Sequence, residues 1–220
     1  MARRGQPPRG PWPVVQVRYK TGLTSVEYVT TRAWRHARLE RCPLHPEGGC
    51  GLRRHGTYGR VEPPGARVAR YFCRRQRATI SLLPDCLAAK LSSTLHEVEQ
   101  VVRAVEAGRS LWAAAERLRP DLTLLCAARW VRRRLVGVRA SLAALVGLFP
   151  EVLSGVAPTL ADFSRVLAGR PVLVTLREFG AAHLSALPPP LGFGQRVRPL
   201  PSRRRRWQHG LGPDPPPKSR

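Results

Sequence analysis

Seven apolar residues in the second half of the chain recur at alternating spacings of four and three. They are Leu124, Ala128, Val131, Leu135, Val138, Leu142 and Leu145. An α-helix repeats every 3.6 residues, so this spacing places all seven on one face. The pattern predicts one long helix that ends at Pro150. Its apolar face must be covered, and we expect other helices of the same chain to cover it. A homodimer through the long helix is the alternative.

Two shorter helices are predicted before the long one. Thr94 and Glu97 have the spacing of a capping box, in which the threonine side chain and the glutamate side chain each bond the other's backbone amide. Ser110 is a candidate cap for the next helix, and Pro120 stops it, because proline disfavours helix in the residue before it. Three helices with tight turns predict a helix-turn-helix domain over residues 91–150.

The first part of the chain has the character of strands and turns. Residues 14–19 and 25–31 are rich in β-branched residues and are joined by the turn-like "KTGL", which predicts a hairpin. Residues 42–84 are short segments cut by glycine and proline, including two short strands joined by a "PPG" turn. A segment this small lacks a large core and usually needs a metal or a neighbour to fold. We therefore predict a β hairpin plus a zinc-ribbon-like module over residues 14–90.

Four residues of this module are candidate metal ligands: Cys42, His45, Cys50 and Cys73. Zinc favours four such ligands in a tetrahedron. Gln76 stands where a second C-x-x-C knuckle would have its cysteine, and its neutral amide oxygen is a poor zinc ligand. If zinc binds, its role is structural, because four protein ligands leave no open position for water.

A metal-free alternative stays open for the same segment. A degenerate ribbon would keep the strands and hold Cys50 and Cys73 as small buried residues. His55 is a further candidate ligand outside the main set. Cys86 and Cys126 fall among apolar residues, and we expect both to lie in the core.

The charge of the chain indicates its class of partner. Lysine and arginine total 38 against 14 acidic residues, a formal net charge of +24. Such a charge attracts polyanions and predicts nucleic-acid binding that weakens with salt. An arginine-rich composition without a functional role is the alternative. Arg129, Arg132 and Arg133 share the helix face opposite Val131 and Leu135, where they could enter a major groove of duplex DNA.

The remaining segments complete the predicted organisation, an α+β protein. Residues 151–190 carry signals for two further helices. Residues 1–13 and the basic tail over 191–220 are rich in proline, glycine and arginine, which predicts disorder. No apolar run of about 18 residues is present, so no membrane span is predicted. The basic N-terminus has no apolar segment behind it, so we predict no signal peptide and a cytoplasmic protein, associated with the nucleoid if it binds DNA.

The order of four sequence motifs resembles that of a known protein family. "CPLH", "RRHGTYGR" and "RYFCRRQRATISLLP" precede a helical "AARWVRRRL", and together they resemble the N-terminal half of bacterial insertion-sequence transposases over roughly residues 40–145. They are also similar to a transposase-derived family that lacks the catalytic domain. The resemblance implies a zinc ribbon followed by a helix-turn-helix. It places Cys42 and Cys73 at ribbon cysteines, and His45 and Gln76 at the positions of the other two.

The catalytic half of such transposases needs three carboxylates that converge on two Mg²⁺ ions. After residue 121 the acidic residues are Glu151, Asp162, Glu178 and Asp214. None lies on a predicted strand, so we predict a non-enzymatic DNA-binding protein. Nothing in the chain has a Ser-His-Asp, P-loop or paired-carboxylate pattern above chance.

Two other functions stay open at this point. An RNA-binding or ribosome-associated protein would use aromatic side chains on strands for base stacking, and Tyr58, Tyr71 and Phe72 are candidates. An accessory interaction module for a separate catalytic chain is the second.

Overall fold

The computed structural model describes residues 14–108 and 110–194. The predictions of disorder for residues 1–13 and for residues 195–220 lie outside this part of the chain.

A four-stranded mixed sheet forms the first half of the described chain. Its strands are β1 (Val14–Tyr19), β2 (Arg53–Gly59), β3 (Arg67–Cys73) and β4 (Ala78–Pro84). Their order across the sheet is β1-β4-β3-β2, with β1 parallel to β4 and the other pairs antiparallel. The strands β2 and β3 are the two predicted on either side of the "PPG" turn. β3 and β4 lie at the centre, and all seven residues of β4 are buried.

The predicted hairpin over residues 14–19 and 25–31 is wrong. Its second half forms a short helix, α1 (Ser25–Thr30), and β1 pairs with β4 instead. The reason is a capping box: the Thr24 side chain accepts from the amide of Glu27, whose carboxylate accepts from the amide of Thr24 at 2.8 Å. The cap fixes a helix start in spite of the β-branched composition.

The second half of the described chain is helical. Its α-helices are α2 (Leu95–Ala107), α3 (Leu111–Leu118), α4 (Leu124–Leu148), α5 (Pro150–Leu153), α6 (Leu160–Val166) and α7 (Val172–Phe179). Short 3₁₀ turns cover Ala33–Arg35 and Ala181–His183. The predicted capping box of α2 and the Ser110 cap of α3 are confirmed. The two helices predicted within residues 151–190 correspond to α6 and α7, and α5 adds one more turn.

The apolar stripe of α4 is buried within the chain. Val138, Leu142 and Leu145 are fully inaccessible and belong to a core cluster with residues of α2, α6 and α7. Intramolecular packing of the stripe is therefore confirmed, whereas the homodimer stays a prediction. Leu124, the first member of the stripe, is 47% exposed, because it lies at the end of the helix beyond that cluster.

The folded chain continues further than the sequence pattern predicts. Leu191 and Gly192, assigned to the disordered tail, are buried, and Leu191 belongs to the helical core cluster.

None of the described helices combines the length and the apolar character that a membrane span requires.

Candidate metal centre and nucleic-acid interface

Two turns bring the first three candidate ligands together. The backbone amide of His45 donates to the carbonyl of Cys42 at 3.1 Å, which closes the first knuckle. Gly48 and Gly49 then adopt φ angles of +90° and +69°, a backbone conformation that other residues rarely take. These glycines turn the chain back, so that Cys50 lies beside the knuckle.

The fourth candidate ligand, Cys73, is the last residue of β3. The backbone amide of Gln76 points to the Cys73 sulfur, with nitrogen and sulfur 3.4 Å apart, while the Gln76 side chain is exposed. The amide of Arg75 donates to the carbonyl of Cys50 at 3.2 Å and ties the two segments together. Cys50 therefore lies beside Cys73, where its thiol could serve as the fourth ligand in place of Gln76.

The four ligand atoms form a compact cluster. They lie within 4.8 Å of one another, and all four residues are buried. The Nδ1 atom of His45 is 3.7 Å from the Cys42 sulfur and 3.4 Å from the Cys73 sulfur. Sulfur at about 2.3 Å and nitrogen at about 2.05 Å from a tetrahedral zinc ion would be about 3.6 Å apart. Three thiols and an imidazole at these separations could hold a metal ion such as zinc.

Burial and mutual hydrogen bonding give the thiols different acidities. Burial, together with hydrogen bonding to the Cys42 and Cys73 thiols, raises the pKa of Cys50 to about 11. Burial acts in the same direction on Cys73, but hydrogen bonds from the Gln76 amide and the neighbouring thiols outweigh it and lower the pKa of Cys73. Because a divalent cation binds thiolates, it would release protons from this cluster as it binds.

Two other residues that the sequence singled out lie elsewhere. His55 is exposed on β2, with its ring 5.6 Å from that of Phe72, and is not part of the cluster. Cys126 is exposed, so its predicted place in the core is wrong. It lies between Leu124 and Ala128 in the first turn of α4, and the intervening position points away from the stripe.

A basic surface lies on α4. Arg129, Arg132 and Arg133 are all exposed, while Val131 and Leu135 are buried on the opposite side, as the helical spacing predicted. The 25 residues of α4 include five arginines and no acidic residue. Within the described chain no carboxylate forms an ion pair with any of the three exposed arginines.

Another arginine of α4 has a structural role that the sequence did not indicate. Arg134 is 3% exposed, and its guanidinium carbon lies 3.6 Å from the centre of the Trp130 ring. It donates to the Ser93 hydroxyl at 2.6 Å, and Arg119 lies over Trp130 at 5.1 Å. Burial lowers the pKa of Arg134 to about 10. In the sequence, only the spacing of three residues between Arg134 and the apolar Val131 could have indicated that Arg134 lies on the buried face of the helix.

The aromatic residues considered for RNA stacking are not displayed on the sheet. Tyr71 and Phe72 are 8% and 7% exposed. Tyr58 is half-buried, and the guanidinium of Arg70 lies 5.2 Å from its ring centre. These side chains do not form an open platform for bases.

A pocket of about 490 Å³ lies between the end of β1 and the first turns of α2 and α7. Its charged side chains are paired, Arg18 with Asp85 at 2.6 Å and Lys20 with Glu178 at 2.9 Å. Cys86 is 7% exposed in its wall, which confirms its predicted burial, and that burial raises the pKa of its thiol to about 11. The pocket shares no residue with the metal cluster or with the basic surface of α4.

No protein-family model, no curated protein and no solved structure matches the chain. The resemblance to transposase N-terminal halves therefore depends on the quoted motifs alone.

Proposed function

We propose that this chain is a non-enzymatic protein that binds duplex DNA through the exposed arginines of α4, with a sheet module ordered by zinc. The observation that carries the proposal is the charge pattern of α4. Arg129, Arg132 and Arg133 project to solvent from a helix that has no acidic residue to neutralise them.

Arginine suits this role because its planar guanidinium donates hydrogen bonds in pairs to phosphate and to guanine. The Cα atoms of the three arginines lie within about one helical turn, a span of about 6 Å along the axis. Their backbone is held by the burial of Val131 and Leu135 beneath them. Only the arginine side chains, and not the helix backbone, then need to become ordered when a polyanion binds, which supports α4 as the principal contact.

The metal in this proposal has a structural role. Three thiols and one imidazole favour zinc over the hard cations that prefer oxygen. Zinc bound by Cys42, His45, Cys50 and Cys73 would join the two turns to the sheet and leave no position for a reacting water. The bound ion would keep the three cysteine side chains as thiolates.

The test is a titration of a fluorescently labelled duplex, followed by anisotropy at low salt. The double variant Arg129→Gln/Arg133→Gln is compared with Arg165→Gln/Arg170→Gln, which removes the same charge from an exposed region of the helical half. We expect the α4 variant to lose about tenfold or more in affinity, since each arginine contact to DNA contributes about 1–3 kcal/mol.

Equal affinities for the two variants would contradict the role of α4. A wild-type chain that does not bind the duplex even at low salt would contradict DNA binding as a whole. Displacement of the duplex by an equal concentration of structured RNA would favour the RNA-binding alternative instead.

A further inference from the structure

The turn between β3 and β4 is a second basic feature, distant in sequence from α4. It contains Arg74, Arg75 and Arg77, and all three are exposed. The turn follows Cys73 directly, and its backbone contacts the candidate metal centre through the Gln76 amide and the Cys73 sulfur.

The backbone of this turn is fixed at several points. The Gln76 amide is held by the Cys73 sulfur, and the Arg75 amide donates to the carbonyl of Cys50. The side-chain stem of Arg74 lies against Gly51, where an added Cβ would be 3.1 Å from its Cδ atom. The guanidiniums therefore extend from an ordered base rather than from a loose loop.

Little negative charge is present in the segment that contains the turn. Residues 32–77 include twelve arginines and three acidic residues. The Nη1 atom of Arg75 is 3.5 Å from Oε1 of Glu47, and both side chains are more than 60% exposed. Ion pairs that are this exposed contribute little to stability. The strand register adds a further positive charge, since it places Arg53 of β2 opposite Phe72, next to Cys73.

We propose that Arg74 and Arg75 form a second contact with duplex DNA, on its phosphate backbone and separate from the α4 surface. This inference rests on the proposed DNA-binding function. It extends the binding surface from α4 to the sheet module that contains the candidate metal centre. A turn with two successive exposed arginines on a fixed backbone suits phosphate oxygens, which are regularly spaced and independent of sequence. The contact should therefore strengthen binding to all duplexes alike.

A phosphate contact leaves a quantitative signature in the salt dependence of binding. Each phosphate that a cation neutralises contributes about 0.9 to the slope of log K against log salt concentration. Loss of two contacts should therefore reduce the slope by about 1.8, whatever the sequence of the duplex.

The experiment measures that slope by anisotropy for the full chain, between about 50 and 200 mM salt. Arg74→Gln/Arg75→Gln is compared with Arg165→Gln/Arg170→Gln, which has the same net charge. Arg74→Lys/Arg75→Lys serves as the conservative variant, because lysine keeps the positive charge. Zinc content and the unfolding midpoint of each variant show whether the module remains folded.

We expect the glutamine variant to lose about 1.8 from the slope, and the control and lysine variants to keep the wild-type slope. If the wild type binds the duplex but the glutamine variant has the wild-type slope, this inference is overturned and the role of α4 is left intact. An equal loss in the control would overturn it as well, because the effect would then be one of net charge. Absence of wild-type binding would overturn both proposals.

Discussion

Arg177 is a cation on α7 in the interior of the protein. It is 1% exposed and donates to five backbone carbonyls. These belong to Pro84, Asp85, Leu87, Pro190 and Leu191, at 2.5–3.4 Å. Burial lowers its pKa to about 10, while the nearby Asp85 acts in the opposite direction. Arg177 thus joins carbonyls at the end of β4 and in the turn that follows it to the carbonyls of Pro190 and Leu191.

Replacement of Arg177 tests whether these bonds outweigh the cost of burying the charge. We expect Arg177→Met to lower the free energy of unfolding by about 2 kcal/mol or more, because buried carbonyls lose their donor. The measurement is urea denaturation, and the exposed Arg170→Met should change stability by less than about 0.5 kcal/mol. Equal or greater stability of Arg177→Met would show that desolvation of the guanidinium dominates.

The sequence predicted the members of the metal cluster better than their arrangement. Cys42, His45, Cys50 and Cys73 were all selected by residue type and knuckle spacing, and all four come together. The structure adds that the turn at Gly48 and Gly49 brings Cys50 into the cluster, while the Gln76 side chain is exposed. Arg134 and Arg177 were not predicted as buried, because arginine is rarely inside. The Ser93 hydroxyl that Arg134 binds and the Leu87 carbonyl that Arg177 binds are also distant in sequence.

At the scale of elements, α2 organises the helices that follow it through two glutamates seven residues apart. Glu99, which is 4% exposed, accepts from the amide of Leu173 at 3.0 Å, in the first turn of α7. Glu106 accepts from the amides of Leu160 and Ala161 at 3.1 Å each, in the first turn of α6. A spacing of seven places both on the same side of α2.

Removal of one of these caps should weaken the packing of one helix. We expect Glu106→Ala to lower the free energy of unfolding by about 1 kcal/mol, since it removes acceptors and a negative charge from the N-terminus of α6. Urea denaturation measures the effect. The exposed Glu116→Ala on α3 is the matched control, and an equal loss in that variant would contradict a capping role.

Local capping patterns in the sequence predicted the starts of helices, whereas the partners of the strands became known only from the structure. Thr94 with Glu97 and Ser110 predicted two helix starts that the structure confirms. The same type of signal at Thr24 and Glu27 was not recognised, and the β-branched composition of residues 25–31 led to the wrong hairpin prediction. The parallel pairing of β1 with β4 joins residues about 65 apart in sequence, and such pairings leave no local pattern.

At the scale of the whole molecule, three arginines hold the segment that joins the sheet to the helices. Arg60 donates to the carbonyl of Ala88 at 3.1 Å, and Arg134 donates to Ser93. Arg177 donates to the carbonyl of Leu87 at 2.5 Å. Part of the large arginine content is therefore structural, which composition alone could not show. The exposed Arg129, Arg132 and Arg133 of α4, and Arg74 and Arg75 of the β3–β4 turn, are the ones that we propose bind an external partner.

We propose that a zinc ion, bound by Cys42, His45, Cys50 and Cys73, orders the sheet module beside the helical half, with Cys50 in place of Gln76. The most direct test is the zinc content per chain of the purified protein, by elemental analysis, for the wild type, Cys50→Ser and Gln76→Ala. We predict about one zinc per chain in the wild type and in Gln76→Ala, and a clear loss in Cys50→Ser. A folded wild-type chain without metal would contradict the claim, as would a Cys50→Ser variant that retains full zinc.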